Sequence, residues 1–191
     1  MQTWHTIENL RWVGLFSLAA IIAAGIVPIL KMTSSPSQSI SQLWASAEKH
    51  HRLISVTVTI FGAGLSAYII GWLIPTYQLW TGMYLVALLG YLAILGVAWF
   101  PMVESPGEHS LRHPHFIGGA IVAYGAVVGY LIILLTGNAV SQWSRAITIA
   151  ALVYSALWPI FFLPGVRKYF LILETVLVAL FVAAITALTF R

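Results

Sequence analysis

The chain has 191 residues, of which 60% are hydrophobic and only 7% charged, and its mean hydropathy is +0.94. A soluble domain carries roughly 25% charged residues, so this chain cannot solvate its own surface and lipid is the solvent it fits. It contains no cysteine, which excludes disulfides, thiolate zinc sites, cysteine-ligated iron–sulfur clusters and cysteine nucleophiles.

Inside lipid the backbone must satisfy its own hydrogen bonds, which leaves helices or a closed barrel. The apolar runs are about 20 residues long, the length of a helix crossing a hydrocarbon core of roughly 30 Å, and they lack the alternation of barrel strands. The sequence therefore predicts an all-α, multi-pass protein of the cell membrane, residues 1–191 forming a single transmembrane domain. Its architecture is a six-helix up-and-down bundle.

The first run, 12–30, lies between Arg11 and Lys31 with Pro28 near its end. It is too long for a cleaved signal segment and is expected to stay as a helix. The second, 53–74, follows His50, His51 and Arg52 and is closed by Pro75, and a four-residue turn leads to the third, 79–100, stopped by Pro101. The fourth, 116–135, carries Gly125 and Gly129 in the small-xxx-small spacing that brings helices close. The fifth, 146–163, contains Pro159, which should kink it; the sixth is 169–190.

Up-and-down threading gathers two long connections, Lys31 to Arg52 and Pro101 to His115, at one end of the bundle, the loop end. Both termini and two short turns lie at the other, the terminal end. Length alone marks the loop end as functional. Trp12, Trp72, Trp80 and Trp143 fall at the terminal boundary and Trp99 and Trp158 near the other, as aromatic belts do. Six of the nine Lys and Arg lie at the loop end, so the positive-inside rule places it in the cytoplasm. The basic residues stand singly or in pairs at helix ends, a pattern of membrane anchoring that speaks against nucleic acid as a partner.

Five of the six histidines share the loop end: His50 and His51 before the second helix, and His109, His113 and His115 before the fourth. Glu48, Glu104, Glu108 and Glu174 join them, and there is no aspartate. Neutral imidazole binds zinc, copper or haem iron, and a glutamate completes a zinc site. Glu48, His109, His113 and His115 are thus the candidate metal ligands, and His50, His51, His109, His113 and His115 the candidate cofactor ligands. The competing reading makes the histidines interfacial hydrogen-bonding groups. Hydroxyls from Thr33 to Ser41 raise a hydrolase option, although no nucleophile elbow or ordered triad can be read. Ser34 to Ser37 read first as a turn, and Ser39 or Ser41 as the cap of a short helix through Leu43 and Trp44.

Glu174 lies about 7 Å inside the sixth helix, at 1.5 Å per residue. A carboxylate there costs several kcal/mol when charged and unpaired. It therefore either faces the bundle interior as a proton, ion or ligand site, or snorkels towards Arg167 and Lys168. Pro28, Pro101 and Pro159 all fall near helix ends at the loop end, and these breaks are expected to splay the bundle into a cup there. Such a cup suits membrane lipids or another amphiphile, or a docking role in a larger membrane complex. The alternatives are a metal- or haem-dependent enzyme and, more weakly, an ion transporter centred on Glu174.

The order of features resembles the membrane proteins grouped as domain-of-unknown-function 998, over roughly residues 10 to 190. The likeness rests on the Ser-rich stretch from Ser35 to Leu43, on Phe100-Pro101 closing the third helix, and on His109 and His113 leading into the fourth. Gln42 stands where that family carries an acidic residue. The resemblance implies a six-helix fold with a characteristic loop end, and brings no settled activity.

Overall fold

A computed structural model of the chain describes residues 7–31, 40, 51–100 and 113–190. Every element among the described residues is helical: α1 (Asn9–Lys31), α2 (His51–Tyr77), α3 (Gly82–Trp99), α4 (Pro114–Thr136), α5 (Gln142–Ala156) and α6 (Phe170–Thr189). A 3-10 turn, Trp158–Phe162, and a short helical turn, Pro164–Arg167, join the last two. Helices α2, α3, α4 and α6 are long and apolar enough to cross a membrane.

Each helix packs against its neighbour in sequence, and α6 comes back to α1, so the helices stand in a ring. At the terminal end the ring is closed by an edge-on contact of Trp12 with Phe190, 6.5 Å between centroids. The Arg11 guanidinium lies over both rings, at 5.3 and 5.4 Å. There it covers apolar surface while carrying an anchoring charge.

Two prolines behave differently from expectation. Pro75 does not close α2, which runs on to Tyr77. A proline in a helix orphans the carbonyl four residues earlier, here Gly71. That carbonyl accepts instead from the Ile7 amide at 3.1 Å, and the residues just before the proline widen into a π-turn, Ile69–Leu73. With its hydrogen bond replaced from outside, the helix tolerates Pro75. At Pro159 α5 is not a kinked helix to Leu163: it stops at Ala156, where the Leu157 amide donates to the carbonyls of Tyr154 and Ser155, and passes into the 3-10 turn.

Two helices begin earlier than hydropathy suggests because polar caps hold them. Ser141 accepts from the Ser144 amide and starts α5 at Gln142, and His113 accepts from the His115 amide and starts α4 at Pro114. Both are N-caps.

Packing is uneven along the ring. The main core sits at the terminal end, where Tyr68, Trp72, Leu73, Tyr77, Ile133 and Leu188 are fully buried. Trp72 stacks on Tyr68 at 5.2 Å; it is therefore a core residue, not part of an aromatic belt. The Tyr68 hydroxyl meets Thr189 Oγ1 at 2.9 Å, and the Tyr77 hydroxyl donates to the Leu188 carbonyl, so these two buried tyrosines are hydrogen-bonded. Towards the loop end the second core cluster is small: Ile54 and Val58 of α2 against Ile94 and Ala98 of α3.

Close helix approach also falls elsewhere than Gly125. A Cβ on Gly118 would lie 2.6 Å from the Ala93 carbonyl oxygen, so α3 and α4 touch backbone to backbone there. Gly129 is buried against Met83, while a Cβ on Gly125 would meet nothing within 4 Å.

Candidate functional site

Among the described residues the larger core lies at the terminal end, and beside it the helices line a partly open cavity of about 360 Å³. The cavity extends from Leu73, Met83 and Ile185, above the terminal core, to Ile40, His115 and Glu174 at the loop end. The space lies in the size range of ligand sites. Its lining is overwhelmingly apolar.

Three glycines make the space. Gly90 of α3 and Gly119 and Gly125 of α4 line the cavity, and a Cβ on any of them would meet nothing within 4 Å. A glycine inside a helix costs roughly 1 kcal/mol relative to alanine. Contact with a neighbouring helix explains Gly118; no such contact explains these three. Their consequence is volume inside the ring.

Glu174 lines the same cavity. Its Oε2 accepts from the Ile40 amide at 2.6 Å, and among the described residues this is the carboxylate's one hydrogen bond. The side chain thus turns inward instead of snorkelling towards Lys168, whose ammonium lies over the Tyr169 ring. Arg167 and His115 also line the cavity, so it brings together three ionisable side chains of the loop end.

Of the described histidines, His113 and His115 are engaged by the backbone and His51 by a serine side chain. The last carbonyls of a helix have no intrahelical partner, and at the end of α3 two of them are taken by neighbouring helices. His115 Nδ1 lies 3.0 Å from the Val97 carbonyl oxygen, and Ser55 Oγ donates to the Ala98 carbonyl at 2.7 Å. Since Ser55 gives its one proton to Ala98, the 3.0 Å contact with His51 Nδ1 has the histidine as donor. At the end of α3, His115 thus meets the Val97 carbonyl directly and His51 meets the Ser55 hydroxyl that holds the Ala98 carbonyl, while His113 caps α4. His50, His109, Glu48, Glu104 and Glu108 lie outside the described residues, as does the expected short helix through Leu43 and Trp44. Among the described residues no three His, Asp or Glu side chains form a group that could hold a metal ion.

Sequence reading did not single out the aromatic wall. Phe116, Trp158, Phe162 and Phe170 line the cavity. Centroid distances are 5.9 Å for Phe116–Trp158, 5.5 Å for Phe116–Phe162, 4.7 Å for Trp158–Phe162 and 5.2 Å for Phe162–Phe170. The 3-10 turn that contains Pro159 places Trp158 and Phe162 on the cavity lining.

No family model matches the chain, and no curated protein or solved structure matches it.

Proposed function

We propose that the chain is a multi-pass protein of the cell membrane that binds a lipid or other amphiphile in its central cavity, as a carrier or as an accessory subunit of a membrane complex. The observation that carries this reading is the placement of Gly90, Gly119 and Gly125, three helix-interior glycines whose missing side chains open onto an apolar chamber. An apolar cavity of this size holds a ligand better than it holds water.

The six-span arrangement belongs to the same proposal. Helices α2, α3, α4 and α6 meet the length and hydropathy of spans, and α1 and α5 complete the ring beside them. The outward face of α3 presents Leu85, Leu88, Leu89 and Leu92, each about half exposed, a stripe suited to lipid and not to water. We assign the loop end to the cytoplasm by its basic residues, and the resemblance to the domain-of-unknown-function 998 proteins implies a six-helix fold with that end as the characteristic one. A metal- or haem-dependent enzyme built on the histidines has less support, because His113 and His115 already serve backbone groups and His51 is engaged by the Ser55 hydroxyl.

Native mass spectrometry of the protein extracted in a mild neutral detergent tests the reading. The wild type is expected to carry one amphiphile per chain, and the cavity-filling pair Gly90→Leu with Gly125→Leu to carry none while remaining monodisperse. Equal occupancy in both proteins would overturn it.

A further inference from the structure

We infer that the head group recognised in this cavity is a methylated organic ammonium carried on a hydrocarbon chain. The inference rests on the amphiphile reading above and adds the chemistry of the head.

Glu174 supplies the charge. Its carboxylate faces an apolar chamber, and among the described residues its partner is a neutral amide, that of Ile40, with no cation paired to it. An uncompensated carboxylate in such surroundings costs several kcal/mol. A proton or a ligand cation offsets that cost; of the possible heads, a cationic one keeps the carboxylate ionised and a neutral one does not.

The aromatic wall supplies the second element. Phe170 stands four residues before Glu174, on the same helical face, and its ring packs 5.2 Å from Phe162, which packs in turn on Trp158 and Phe116. Ring faces attract a cation and do so most strongly when it is poorly hydrated, as methylated ammoniums are. A primary ammonium would bring three donors into a chamber with few acceptors, leaving them unsatisfied at considerable cost. A quaternary ammonium has no donors to satisfy, so one carboxylate and several ring faces are enough. An anionic head would meet Glu174 as a like charge, although Arg167 on the same lining favours it.

Calorimetric titration of the protein in a neutral maltoside detergent, with decyltrimethylammonium, decanol and decanoate as probes, tests this. The Gly90→Leu, Gly125→Leu protein serves as the blank for micelle partition. Decyltrimethylammonium is expected to saturate one site more tightly than decanol. Glu174→Gln should weaken it about tenfold or more and leave decanol unchanged, whereas Glu174→Asp, which keeps the charge, should retain the preference. Equal binding of the ammonium and decanol, with Glu174→Gln affecting neither, would overturn the cation and leave the amphiphile reading intact. Preferential binding of decanoate, lost in Arg167→Gln, would replace the cation by an anion. If no probe distinguished the wild type from the blank, both readings would fall.

Discussion

The Ile40 amide donates to Glu174 Oε2 at 2.6 Å across 134 positions of sequence, tying the connection after α1 to the inner face of α6. The bond satisfies one oxygen of the carboxylate without neutralising its charge. A charged carboxylate held in this cavity costs stability, as groups at binding sites commonly do.

That cost can be measured. Glu174→Gln keeps an acceptor for Ile40 and removes the charge, so the thermal midpoint in detergent should rise. Glu174→Leu removes the acceptor as well and leaves the Ile40 amide unsatisfied, a loss of about 1–3 kcal/mol, so it should fall below the Gln variant. A Gln variant less stable than wild type would mean that the carboxylate is paired and stabilising.

Glycines on the same helices should divide into two classes. Gly118→Ala places a methyl 2.6 Å from the Ala93 carbonyl oxygen and is expected to destabilise by about 1–3 kcal/mol. Gly125→Ala and Gly119→Ala meet open space and should be neutral or stabilising by up to about 1 kcal/mol. Similar thermal midpoints for Gly118→Ala and Gly125→Ala would remove the distinction.

The Pro75 rescue predicts a coupled pair. Ile7→Pro deletes the donor to the Gly71 carbonyl and should cost about 1–3 kcal/mol. In the double variant with Pro75→Ala, an amide is restored at position 75 and part of that loss should return. Strict additivity in a double-mutant cycle would show that the two sites are independent.

At the end of α3, Ser55→Ala and His115→Phe each orphan one carbonyl, of Ala98 and Val97 respectively. Each should lower stability by about 1–3 kcal/mol. Elemental analysis of the protein, purified without chelator or a histidine tag, should show no change in zinc or iron in either variant. A loss of bound metal in His115→Phe would restore the ligand role for that residue.

Hydropathy was enough to read the helices, because a run of some 20 apolar residues has one solution in lipid. Their ends were less legible. Pro75 looked like a stop because the amide that rescues Gly71 lies on Ile7, some 60 residues away and invisible to local reading. Ser141 and His113 start their helices through caps that hydropathy ignores. Glu174 stood out as a carboxylate inside an apolar run, but only the ring of helices shows which way it turns. Gly125 and Gly129 carried the same motif and proved different, one facing space and the other packed on Met83. The aromatic wall could have been suspected from Trp158-Pro159 and Phe161-Phe162, where a proline breaks the helix beside large rings.

The central claim is that a hydrocarbon chain occupies the interior of the ring. Its most direct test is photolabelling with a diazirine-bearing alkyl amphiphile in membranes, followed by peptide mapping of α4. Outward residues such as Ile121, Tyr124 and Val128 will react with any surrounding lipid. The account predicts additional, saturable labelling at the cavity-lining Val122 and Ala126, suppressed by Gly90→Leu with Gly125→Leu. Labelling confined to the outward residues, unchanged in the filled variant, would contradict it.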